Sequence, residues 1–146
     1  PISNKHVRQV LKPDALFGIE YATSSGSKFR FFAVEADRST EPLRSRSSNR
    51  KTLQKSLLQY EQLIAGQAYR QQFNLTAPLL LLMVTTSPTR SATITKLIEK
   101  QSLRSKAAML ISEWVCFGEQ RSVPGVNDAL LNQAWTRSNL PPISIA

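Results

Sequence analysis

Cysteine and histidine are almost missing from this sequence: its 146 residues contain one of each, Cys116 and His6. A single cysteine cannot close an intramolecular disulfide, which favours a reducing compartment, the cytoplasm. A zinc site built from Cys and His ligands is excluded by count. A Ser-His-acid triad would have to use His6, and nothing around it resembles a nucleophile elbow. Cys116 lies in an apolar run and reads as small core filler. Membrane-length apolar runs are missing as well. The run APLLLLMV is strand-sized, too short to cross a bilayer, so no membrane partner is expected. Acidic residues are scarce: 10 Asp and Glu stand against 19 Lys and Arg, a net charge of +9. That imbalance favours an anionic partner, most often nucleic acid, over a merely soluble basic surface.

What is present suits one globular domain. Hydrophobic residues make up 41% of the chain and charged residues 20%, enough apolar surface for a real core at this length. ALFGIEYA, from Ala15 to Ala22, reads as a strand. TSSGS is a turn cluster with Gly26 at its centre. A second strand then runs from Lys28 to Asp37, and the two form a hairpin. The Ser-rich, basic stretch RSTEPLRSRSSNRK reads as a loop. Ser48 or Asn49 is the expected cap of a helix from about Arg50 to about Gln72. Its apolar stripe is Leu53, Leu57, Tyr60 and Ile64. APLLLLMVTTS suits a strand buried on both faces. A second helix is expected from about Ser91 to about Arg104, with Ile94, Leu97 and Ile98 inward. AMLISEWVCF reads as another strand, and the tail as a short helix or irregular packing. The order gives an α/β fold with a mixed central sheet flanked by helices: an antiparallel hairpin first, then parallel crossovers.

Within FRFFAVEADRST, Glu35 and Asp37 lie two residues apart on one strand and so share a face. Like charges that close repel unless a cation lies between them or one is protonated. Asp14 begins the preceding antiparallel strand, so its start comes beside the end of the next. Three carboxylates at one sheet edge would suit Mg²⁺ or Mn²⁺, which prefer hard oxygen ligands. Such a metal polarises a phosphate and lowers the pKa of an attacking water. The structural alternative pairs Glu35 and Asp37 with Arg30, Arg38 or Arg50 and leaves Asp14 as a turn residue.

Pro13-Asp14 followed by Glu35-Ala36-Asp37 on the next strand resembles the PD-(D/E)XK nuclease signature. The resemblance implies a restriction-endonuclease-like core, with Asp14 and Glu35 as metal ligands. Asp37 stands where that family has a lysine. Of the cations that could replace it, Lys51 and Lys55 project away from the apolar stripe and Arg50 lies nearer to it. Arg50 stabilises charge but is a poor base. More narrowly, LKPDALFGIE, FFAVEADRSTEP, KSLLQYEQL and LLLLMVTTSPTR together resemble the replication-relaxation family of plasmid and mobile-element proteins. The likeness runs from about Val10 to about Trp135, and Glu35-Ala36-Asp37-Arg38-Ser39-Thr40-Glu41 is its most specific part. It implies DNA metabolism in plasmid replication or mobilisation, with a winged-helix domain upstream in longer members.

DNA contacts are expected from two basic groups. Lys96, Lys100 and Arg104 recur every four residues, opposite the second helix's apolar stripe, with Arg90 and Lys106 beside them. Arg44, Arg46, Arg50 and Lys51 form the other, with Lys55 facing solvent or DNA. No element looks like a base-reading helix, so contact with the phosphate backbone is expected. Two functions follow as expectations. One is metal-dependent phosphodiester hydrolysis, with Asp14, Glu35 and Asp37 on Mg²⁺ or Mn²⁺ and Arg50 assisting. The other is a catalytically silent module of the same fold that binds DNA, a second copy, or other replication or mobilisation proteins.

Overall fold

The computed structural model describes residues 11–39, 42–43, 52–113 and 131–146. Its opening element is an antiparallel hairpin of β1 (Ala15–Thr23) and β2 (Gly26–Asp37). The tip is Ser24 and Ser25, with Thr23 paired to Gly26. Gly26 therefore begins β2 rather than centring the turn. Its φ of 128° lies where a Cβ is strongly disfavoured. The Thr23 hydroxyl ties the tip by donating to the Gly26 carbonyl at 2.7 Å.

The helix expected over 50–72 is two helices. α1 (Leu53–Ala65) starts at Thr52, whose hydroxyl accepts from the Lys55 N–H at 3.3 Å. Thr52 is thus the cap; Ser48 and Asn49 lie outside the described residues. α1 ends at Gly66, whose N–H donates to the Gln62 carbonyl at 3.1 Å. A Cβ on Gly66 would stand 2.7 Å from that same oxygen. Gln67 then turns left-handed, at φ 53°, and the chain restarts as the single turn α2 (Tyr69–Gln72).

β3 (Leu79–Thr85) follows, then α3 (Pro88–Lys100) and β4 (Met109–Glu113). α3 begins three residues before the expected Ser91. Ser87 caps it by accepting from the Arg90 N–H at 3.2 Å, and Pro88 sits in the first turn, where its missing N–H costs nothing. The tail keeps helical residues at Leu131 and Asn132, where a short helix was expected, and adds a hairpin that was not. It contains β5 (Trp135–Arg137) and β6 (Leu140–Ile143), paired antiparallel.

The six strands lie in sequence order. β1 and β2 are antiparallel, β2–β3 and β3–β4 parallel, and β4–β5 antiparallel. The parallel part advances in one direction across the sheet. Two crossovers of the same hand therefore place their helices on the same face. That face carries Ala33, Leu79, Leu81, Met83, Met109 and Ile111, packed with Leu57 and Tyr60 of α1 and Ile94 and Ile98 of α3. The opposite face is covered by Trp135 and Ile145, over Phe32, Leu82 and Leu110. Leu131, in the helical residues 131 and 132, packs against this second cluster as well. β3 is thereby buried on both faces, as its apolar run requires, with residues 131–145 covering the second.

Candidate functional site

The carboxyl ends of β2, β3 and β4, the start of β1 and the N-termini of α1 and α3 converge on one edge of the sheet. In open α/β sheets this edge is where ligands bind. Asp14, Glu35 and Asp37 all belong to it. Each is held differently.

Asp14 is exposed and joined to the backbone of β2. Its N–H donates to the Val34 carbonyl at 2.9 Å, and its Oδ2 accepts from the Ala36 N–H at 2.8 Å. A carboxylate that short, one residue past Pro13, closes the open end of the hairpin. Glu35 is half-buried on the helix-covered face. Its Oε1 accepts from the Tyr60 hydroxyl at 2.6 Å. Tyr60 is 1% exposed, so it serves both the apolar core and this carboxylate. Burial pushes its phenol far above the ordinary value of 10.0; the hydrogen bond to Glu35 and the negative charges of Glu35 and Asp14 push it the same way. The phenol is thereby fixed as a neutral donor. Asp14 and Glu35 act on one hydroxyl, which places these two carboxylates in a common electrostatic neighbourhood.

Asp37 goes elsewhere. Arg90, in the first turn of α3, donates from Nε to Oδ2 at 2.6 Å and from a terminal guanidinium nitrogen to Oδ1 at 3.0 Å. The two side chains are 13% and 6% exposed, Arg90 and Asp37 respectively. The Ser39 N–H adds a bond to Oδ1 at 3.2 Å and the Thr85 hydroxyl one to Oδ2 at 3.4 Å. Two parallel bonds of this kind are the strong form of an arginine–carboxylate contact. So the two acids that share a face are handed to different helices, Glu35 to α1 and Asp37 to α3. That division relieves their repulsion without a metal between them.

A three-carboxylate cation centre does not fit these residues. Both oxygens of Asp37 are engaged by a fixed positive charge, which repels a second cation at that place. Among the described residues, no group of three or more His, Cys, Asp or Glu side chains is close enough to hold a metal ion. Asp14, bonded to the β2 backbone on either side of Glu35, is the acid placed beside it. Arg50, the expected substitute cation, lies outside the described residues.

The basic residues divide similarly. Lys96 and Lys100 are exposed on α3, one turn apart. Arg104 is 85% exposed but lies beyond the end of α3, 3.6 Å from Glu61, so the helical ridge stops at Lys100. Arg90 leaves the ridge altogether, since its guanidinium is turned inward to Asp37. Lys55 is half-buried in the first turn of α1. Arg44, Arg46 and Lys51 lie outside the described residues.

The role of Arg90 is what reading the chain missed. The expected partners were Arg30, Arg38 and Arg50, near in sequence, whereas the true partner is 53 residues away. Arg30 instead lies over the Tyr21 ring at 5.4 Å. A usable signal existed: parallel β2 and β3 would set Asp37 beside Thr85, and a cap at Ser87 puts Arg90 one turn further on. No family model matches the chain, and no curated protein or solved structure matches it.

Proposed function

We propose that this chain is a DNA-acting module of a plasmid or mobile-element replication or mobilisation protein. In this reading its core is PD-(D/E)XK-like, and it binds nucleic acid through phosphates without cutting it. The observation that carries the silent form is the Asp37–Arg90 pair. It sits where the resemblance would have a catalytic lysine, and it replaces a proton-handling amine with a carboxylate neutralised by arginine. Arginine stays protonated and cannot act as the base. The net charge of +9 and the exposed Lys96 and Lys100 support contact with a phosphate backbone.

The test is a DNA-binding titration over a range of salt, with plasmid nicking followed in Mn²⁺ on the same samples. Binding that weakens steeply with salt, with no nicking, is the expected result. Salt-independent binding, or none, overturns the DNA part. A second reading, metal-assisted hydrolysis, is favoured by one observation: Asp14 and Glu35 share a neighbourhood around Tyr60. Nicking abolished by Glu35→Ala would establish it and overturn the silent form.

A further inference from the structure

The two outer edges of the sheet are unlike. β6, at one edge, is four residues long and carries Pro141 and Pro142, which have no N–H to offer a further strand. β1, at the other, is nine residues long, without proline, and nothing among the described residues pairs with its outer side. Natural sheets blunt such an edge with lysine, proline or a bulge. β1 has none of these along its regular pairing with β2.

Charge decides which partner suits it. The chain has 19 basic residues, yet from Asp14 to Ser27 there is not one. A second copy brings the same +9, so a strand along which two copies meet should carry no cation of its own. β1 carries none, its one charged residue is Glu20, and the cation opposite Ile19, Arg30 of β2, is drawn onto the Tyr21 ring. The side chains of β1 also match their own reversed order. With a two-fold axis at Ile19, Phe17 of one copy faces Tyr21 of the other, and Leu16 faces Ala22. Aromatic and aliphatic pairs of this kind stabilise neighbouring strands. Leu16, on the edge strand, is 41% exposed, and Phe29, one strand in, 47%.

We infer that two copies of this chain pair through β1, antiparallel about Ile19, into one continuous twelve-stranded sheet (six strands from each copy). The blunted β6 edge stops growth, so the assembly closes as a two-fold dimer and does not extend into a fibre. This inference is independent of the reading of the acid edge.

Sedimentation equilibrium tests it on the wild type and two double variants. L16K with A22K sets lysine against lysine across the seam; L16K with A22E sets lysine against glutamate. The two positions are exposed and lie far apart within one copy, so the variants differ mainly at the seam. A wild-type dimer is expected. The lysine–lysine variant should dissociate at least about tenfold more readily than the lysine–glutamate one. A wild type that remains monomeric at every concentration overturns the inference, as does a dimer equally stable in both variants. Amide exchange on the wild type checks the seam without any substitution. Outward N–H groups of β1 should slow as concentration rises, and unchanged exchange would count against the seam.

Discussion

Arg90 reaches from the first turn of α3 to Asp37 at the end of β2 and holds it by two hydrogen bonds, 2.6 and 3.0 Å long. The pair joins a helix to a strand that is not its direct neighbour in the chain. It is nearly enclosed, so removing one partner strands the other's charge. Asp37→Ala should lower unfolding free energy by about 3 kcal/mol. Replacing both residues by apolar ones of similar size should cost clearly less than the sum of the single changes. Denaturant titration of the two singles and the double measures it.

The Tyr60 hydroxyl predicts a loss of stability in alkali. Its folded-state pKa lies far above the ordinary 10.0 of the unfolded chain. The stabilisation is therefore fully present below pH 10.0 and is lost as pH rises beyond it, where the unfolded chain ionises and the folded one does not. Tyr60→Phe should flatten that alkaline fall. At neutral pH it should cost about 1–2 kcal/mol, because Glu35 loses a donor. Ultraviolet titration of the phenols together with thermal unfolding would show both effects.

Glu61 works in the opposite direction. Burial raises its pKa, but hydrogen bonds from the Ser105 hydroxyl and N–H and from the Arg104 N–H, with the Arg104 charge, outweigh it and leave the carboxyl below 4.5. Its stabilisation is present above pH 4.5 and is lost as pH falls through the depressed folded value. Glu61→Gln should be less stable than the wild type at neutral pH, and the gap should narrow in acid. Unfolding midpoints measured from neutral to acid pH check the convergence.

Lys96 and Lys100 are the exposed basic pair of α3. If they meet phosphates, changing both to alanine should weaken DNA binding uniformly across sequences. The slope of log affinity against log salt should fall by about 2. Fluorescence anisotropy at several salt concentrations measures it. An unchanged slope would move the DNA contact off α3.

Much of the sheet was legible in the chain. The hairpin announces itself through alternation around TSSGS, and β3 through an apolar run too continuous for a one-sided strand. Parallel pairing followed from the helices between the later strands. Three things were hidden, each for a physical reason. The break at Gly66 depends on Gln67 turning left-handed, which the apolar stripe does not encode. The start of α3 was masked by Pro88, since proline breaks helix interiors although it is at home in a first turn. The tail hairpin contains LPPI, a sequence that only an edge strand accepts. At the acid edge, the shared face of Glu35 and Asp37 followed from strand periodicity. Their separate partners did not, because each depends on where a helix elsewhere in the chain begins.

The Tyr21 hydroxyl donates to the Ile145 carbonyl at 2.6 Å, across 124 residues of chain. Trp135 and Ile145 together close the face opposite α1 and α3. A ribosome that has made β1 through β4 has therefore produced a sheet with one side finished and the other, with Phe32, Leu82 and Leu110, still open to water. Compaction of that side must wait for residues 131–145, and loop closure over so long a separation is slow. Until then the growing chain presents the kind of bare apolar surface that chaperones hold.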